Sequence, residues 1–188
     1  MRVKLFVTVA ALLPLLTAAP ALSADMSPAG LWQAVDEDTK QPTGWFLITD
    51  HNGAFDGIIA KMFLKPGENP NTVCDQCTDD RRGHAWLGLE IIRGMKQESD
   101  DKYASGTILD PRDGKIYKAT MKVSPDGQTL IVRGYLGLQL QRLNNKRLKI
   151  GDLKSDDGTI TADIVTVDNS LVQRLKIDRH TGVIQYEN

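Results

Sequence analysis

The chain is short of the residues that simple catalytic or metal-binding readings require. It has two cysteines and three histidines in 188 residues. It contains no Gly-x-Ser-x-Gly nucleophile elbow and no glycine-rich phosphate loop, so serine-hydrolase and P-loop chemistry have no motif to rest on. Net charge is scarce too. The 23 Lys and Arg nearly balance the 24 Asp and Glu, for a formal charge of −1. A mildly acidic chain has no electrostatic reason to seek nucleic acid or an anionic membrane face. Helical heptads and internal repeats are missing. No segment beyond residue 24 is long and apolar enough to cross a bilayer. The acidic run Asp36-Glu37-Asp38 is followed by Lys40 and Gln41 rather than the acid and glycine of a calcium loop, and reads as a solvated turn.

What is present begins with an export signal. Arg2 and Lys4 form a basic start, Leu5 to Leu16 an apolar stretch, and Thr17 to Ala21 a run of small residues. Cleavage is expected after Ala24, with Ala21 as the alternative. No cysteine follows either site, so a lipidated N-terminus is not expected. The mature chain is placed in the periplasm or outside the cell.

In an exported chain, the close pair Cys74-Asp75-Gln76-Cys77 is expected to be oxidised. A redox-active pair needs a thiolate stabilised by cations or a helix N-terminus. Here Asp75, Asp79 and Asp80 act the other way, Arg81 and Arg82 only offset them, and no helical pattern follows. A structural Cys74–Cys77 disulfide is the prediction, and a thiol–disulfide oxidoreductase the rival. A metal site would need both thiols reduced, with His84 and Asp75 or Asp79 completing the set. No metal, cofactor or catalytic residue is therefore assigned. His51 and His180 lie in polar turns and read as surface residues.

Turn dipeptides recur at Asn52-Gly53, Asp113-Gly114, Asp126-Gly127, Asp157-Gly158 and Thr181-Gly182, each between β-branched or aromatic segments. This spacing predicts an antiparallel all-β sandwich or barrel. Strands are expected at Gly30–Val35, Trp45–Thr49, Ala54–Phe63, Lys102–Leu109, Lys115–Val123, Leu130–Tyr135 and Gln139–Leu143. Leu87–Met95 fits a buried strand or a short helix. In Lys115–Val123, strict alternation puts Tyr117, Ala119, Met121 and Val123 on one face and Lys118, Thr120 and Lys122 on the other. Residues 66–83 read as a long loop. Asn144-Asn145-Lys146-Arg147 is a polar break, after which residues 144–188 form a β-rich extension. The domain plan is thus a signal peptide over 1–24, a barrel over 25–143 and an extension over 144–188.

Four motifs in order carry a family resemblance: Gly30-Leu31-Trp32, the loop from Asn69 to Cys77, Ile108-Leu109-Asp110-Pro111 with Gly114-Lys115-Ile116-Tyr117, and Arg133-Gly134-Tyr135-Leu136-Gly137. Together they resemble the DUF2147 family, exported bacterial proteins of unknown function with a calycin or lipocalin-like barrel. The likeness covers about residues 29–143 and implies fold and compartment, not a reaction. Trp32 resembles the lipocalin tryptophan that plugs one barrel end, with Arg142 or Arg133 as the arginine packed across it. Barrels of this size are filled by side chains or hold one small ligand. The candidate ligand-binding or barrel-interior set is Trp32, Tyr117, Met121, Arg133 and Tyr135. The function expected is binding of a small apolar or amphipathic ligand, or of an envelope partner. The rivals are the oxidoreductase and a structural or interaction module.

Overall fold

The computed structural model describes residues 26–36, 38–136 and 139–187, and the side chains of residues 136 and 139–144 lie outside that description. The expected signal peptide therefore lies outside the described residues. The described chain is all-β. Its strands are β1 (Gly30–Val35), β2 (Pro42–His51), β3 (Ala54–Met62), β4 (Glu90–Ser99), β5 (Lys102–Asp110), β6 (Lys115–Val123), β7 (Thr129–Leu136), β8 (Gln139–Ser155), β9 (Thr159–Thr166), β10 (Leu171–Asp178) and β11 (Ile184–Glu187). Each pairs antiparallel with the next, and β1 also pairs with β8. That last pairing closes β1–β8 into a barrel of eight strands. The ambiguous segment Leu87–Met95 resolves as the approach to strand β4 and its first half.

The alternation read in β6 is visible in burial. Ala119, Met121 and Val123 are buried inside, Tyr117 is half-buried, and Lys118 and Lys122 face water. In β7 the inward set is Leu130, Val132 and Gly134. Gly134 leaves room for Ile108, whose Cγ2 would lie 3.1 Å from an added Cβ.

The two barrel ends are closed differently. At one end Trp32 is fully buried, and its indole N–H donates to the Pro28 carbonyl at 2.7 Å. The arginine across it is Arg147, with its guanidinium 4.4 Å from the ring centre. This corrects the expectation of Arg142 or Arg133. Trp32 and Arg147 are register partners in the β1–β8 ladder, which the sequence alone could not reveal. Arg147 also donates to the carbonyls of Gly127 at 2.7 Å, Ser27 at 2.5 Å and Ala29 at 3.2 Å. One side chain thus ties the entering segment, the β6–β7 turn and the plug together.

The polar stretch from Asn144 to Arg147 is not a hinge. It lies within β8 and supplies most of the pairing to β1, from Val35–Asn144 to Leu31–Leu148. The break expected there was read from polarity, but Lys146 faces water while Asn145 donates to the Leu130 carbonyl and Arg147 packs on Trp32, so the polar groups find partners within the strand pairing. β8 then leaves the ring and pairs with β9 over Leu148–Ser155. The sheet β9–β11 lies against the outside of the barrel. Trp45, Leu148 and Ile164 are buried there, with Leu31, Ala60, Phe63, Val172 and Leu175 packed around them. Lys61 seals the joint. Its ammonium sits 4.7 Å from the Trp45 ring, 5.0 Å from Phe63 and 4.1 Å from Tyr186, and donates to Gln173 at 2.7 Å. Burial lowers the Lys61 pKa.

Candidate functional site

The other barrel end is covered by the long connection between β3 and β4. Cys74 and Cys77 are bonded to each other at its centre. Both are essentially unexposed and belong to the same apolar core as Trp32. Catalytic thiols sit where a partner can reach them. These are sealed, and the disulfide serves as a staple that folds the loop inward.

Three contacts set the lid. Arg81, 3% exposed, grips Asp79 through Nε and Nη2 and donates from Nη1 to the Glu90 carbonyl at 3.0 Å. Arg93 on β4 makes a two-pronged contact with Asp80 at 2.7 and 2.8 Å and also contacts Glu90. Finally, the lid backbone meets the β5–β6 turn. An added Cβ at Gly114 would lie 1.8 Å from the Gln76 carbonyl oxygen, and Gly114 has φ +69°, so glycine is required twice over. The Asp110-Pro111-Arg112-Asp113-Gly114 turn is itself braced. Asp110 accepts from the Arg112 N–H and guanidinium, and Asp113 from the Lys115 N–H and the Tyr117 hydroxyl.

These ion pairs make the lid acid-sensitive. The Arg93 guanidinium holds the Asp80 carboxyl down at about 2. Hydrogen bonds from Arg81 lower Asp79 as well. A carboxylate whose pKa falls on folding stabilises the fold fully above its unfolded value, near 4, and loses that contribution as pH drops through the folded value. The lid is expected to hold at about pH 5 and loosen between about pH 4 and 2. Hydrogen exchange of the amides of residues 72–89 reads this directly. Full protection at about pH 2 would show that these carboxylates do not hold the lid.

The barrel interior below the lid is occupied by buried apolar side chains. The space among Trp32, Phe46, Ile48, Ile92, Leu130 and Val132 amounts to about 10 Å³, about the room a single water needs. Asn145 reaches it, 3% exposed. Its Nδ2 donates to the Leu130 carbonyl at 3.1 Å, while its Oδ1 has no partner among the described residues. A shallow groove of about 510 Å³, largely open to solvent, lies instead at the mouth, between the lid and β6–β7. Gln76 and Thr78 border it from the lid, and Asp113, Lys115, Ile116, Tyr117 and Tyr135 from the barrel. Burial and the nearby Asp113 carboxylate raise the Tyr117 phenol, keeping it a donor. Asp113 likewise keeps Lys115 charged.

The expected site residues are therefore dispersed. Trp32 and Met121 are core. Tyr117 and Tyr135 both border the mouth groove. Arg133 and Tyr135 belong to the outward-facing set of β7 and do not line the interior, because Leu130, Val132 and Gly134 take the inward positions. Tyr135 is 43% exposed, and Arg133 is half-buried with no partner for its Nε among the described residues. Sequence reasoning missed Arg147, Asn145 and the groove residues Gln76 and Thr78. Only the register of β8 and the fold of the lid bring them into place.

The profile of DUF2147, a family described as uncharacterized proteins conserved in bacteria, matches residues 30–145. The chain belongs to this family. The match ends inside β8, two residues before Arg147, so the β9–β11 sheet lies beyond it. A solved structure of a Helicobacter pylori protein, described as belonging to the lipocalin family, superposes with a TM-score of 0.54. It is 16% identical and covers 65% of this chain and 84% of that one, a likeness of fold. No curated protein matches the chain. The DUF2147 chain is thus a lipocalin-like β-barrel whose disulfide is consistent with an oxidising compartment. No helix among the described residues is long and apolar enough to cross a membrane.

Proposed function

We propose that this DUF2147 protein is exported to the periplasm or beyond and binds a small amphipathic molecule in the groove at the barrel mouth. The contrast in space carries the reading. The groove's volume of about 510 Å³ lies in the range of small-molecule sites, and the 10 Å³ cavity beside Trp32 does not. The groove also has both halves of the chemistry. Ile116 and the two tyrosine rings offer apolar surface, while Lys115, Thr78 and Gln76 offer donors to a polar head and the Tyr117 hydroxyl, whose proton goes to Asp113, offers an acceptor.

Titration with a dansylated medium-chain fatty acid tests it. One saturable site is expected, weakened about tenfold by Tyr117→Ala and again by Tyr135→Ala, or about 1.4 kcal/mol each. Val132→Ile, which fills the interior gap, should leave the affinity unchanged. Binding that ignores the tyrosines but responds to Val132 would move the site inside the barrel and defeat the proposal.

A further inference from the structure

The formal charge of −1 conceals a segregation along the chain. From Lys118 to Arg147 the sequence holds six cations, Lys118, Lys122, Arg133, Arg142, Lys146 and Arg147, and one carboxylate, Asp126. The barrel then sorts them. Arg147 faces the plug. Lys118 and Lys122 of β6, Arg133 of β7 and Lys146 of β8 lie on the outer side, since their neighbours Ala119, Met121, Val132 and Asn145 are buried. The ladders set Thr120 opposite Arg133, Lys118 opposite Tyr135 and Lys146 opposite Thr129, so these residues share one continuous face.

The carboxylates around this face are few and engaged. Asp101 bridges Lys122 at 3.1 Å, Glu98 is held by Lys102 at 2.5 Å, and Asp126 accepts from Ser124 and the Gln128 N–H in its turn. Lys118 and Lys146 are exposed and have no ion pair among the described residues. Towards the mouth the same face ends in Ile116 and Tyr135, each 43% exposed.

We propose that the outer face of β6–β8 is a docking surface for an anionic lipid bilayer. A cationic sheet face alone would suit any polyanion. The apolar Ile116 and the amphipathic Tyr135 ring at its edge gain from a lipid interface and nothing from a soluble polyanion. The surface borders the groove and shares Ile116 and Tyr135 with it, but its cations Lys118, Arg133 and Lys146 lie outside the groove, so removing them tests the surface without altering the groove.

Flotation of the protein with phosphatidylglycerol–phosphatidylcholine vesicles at low salt tests the surface. Binding is expected there, absent with phosphatidylcholine alone and lost as salt rises. Each lysine or arginine near such a surface contributes roughly fivefold. Lys118→Gln, Arg133→Gln and Lys146→Gln together should weaken partitioning on the order of a hundredfold. Lys96→Gln, Lys154→Gln and Lys176→Gln, removing the same charge elsewhere on the surface, should have little effect. If the Arg133 variant fails to fold, Lys118→Gln with Lys146→Gln alone should still cost on the order of twentyfold. Equal losses from both triple variants would reduce the effect to net charge and overturn the proposal. So would binding to inorganic polyphosphate without binding to vesicles.

Discussion

A chain that ends at Asn145 is expected to lose cooperative unfolding. At first sight it retains the barrel, since it keeps β1–β7 and every residue of the family match. Yet β1 would keep only the Ala34–Asn145 and Val35–Asn144 pairs, losing those of Leu31, Trp32 and Gln33. The ring would open with two bare edges. Arg147 would be gone from the plug and Leu148 from the joint under Trp45. The combined loss is comparable to the total stability of a domain, about 5–15 kcal/mol. A chain ending at Ser155 keeps the ring and should fold, less stably and with a tendency to self-associate, because Trp45, Leu31 and Phe63 lose their cover. Urea unfolding followed by tryptophan fluorescence separates the two. A cooperative transition at an unchanged midpoint in the shorter chain would show that the barrel closes without the second half of β8.

Arg147→Ala should be the most damaging single substitution away from the apolar core. It removes hydrogen bonds to three backbone carbonyls and a cation from the face of Trp32. Hydrogen bonds from a charged donor contribute about 1.5–3 kcal/mol each, and a desolvated cation–π contact about 2, but such contributions do not add fully within one network. We expect a loss of about 3–5 kcal/mol, which lowers the melting temperature by roughly 10 °C or more. Arg147→Lys should recover little, because one ammonium cannot reach three carbonyls spread around a planar fork. A melting temperature within about 2 °C of the parent for Arg147→Ala would show that the plug holds without its clamp.

Much of the barrel was legible in the residues because period-two alternation is a local signal. Lys115–Val123 showed its faces, and the turn dipeptides marked the hairpins. The disulfide followed from the cysteine pair and the apparent compartment. What stayed hidden depends on register between distant strands. Arg133 looked like a buried arginine because its neighbours in sequence are apolar. In fact only the alternate residues Leu130, Val132 and Gly134 point inward, and Arg133 lies on the other face between two of them. Arg147 looked like part of a polar break, and only its position opposite Trp32 gives it a role. The lid shows the same limit. Glycine and proline foretold a loop, but the approach of Gln76 to Gly114, which frames the groove, is a contact between segments no local pattern links.

The closing ladder also governs when the molecule can fold. Leu31 pairs with Leu148, so the ring joins the start of the described chain to a point near its last quarter. Until that stretch is available, β1 has one neighbour and the plug has no clamp. Non-local pairing of this kind carries a large loop-closure cost before it returns any stability, and places a β-barrel among the slow folders, in milliseconds to seconds. Under the export proposed above, that delay would keep the chain extended during its passage, and it would commit to its shape only once the strand that closes the ring has arrived.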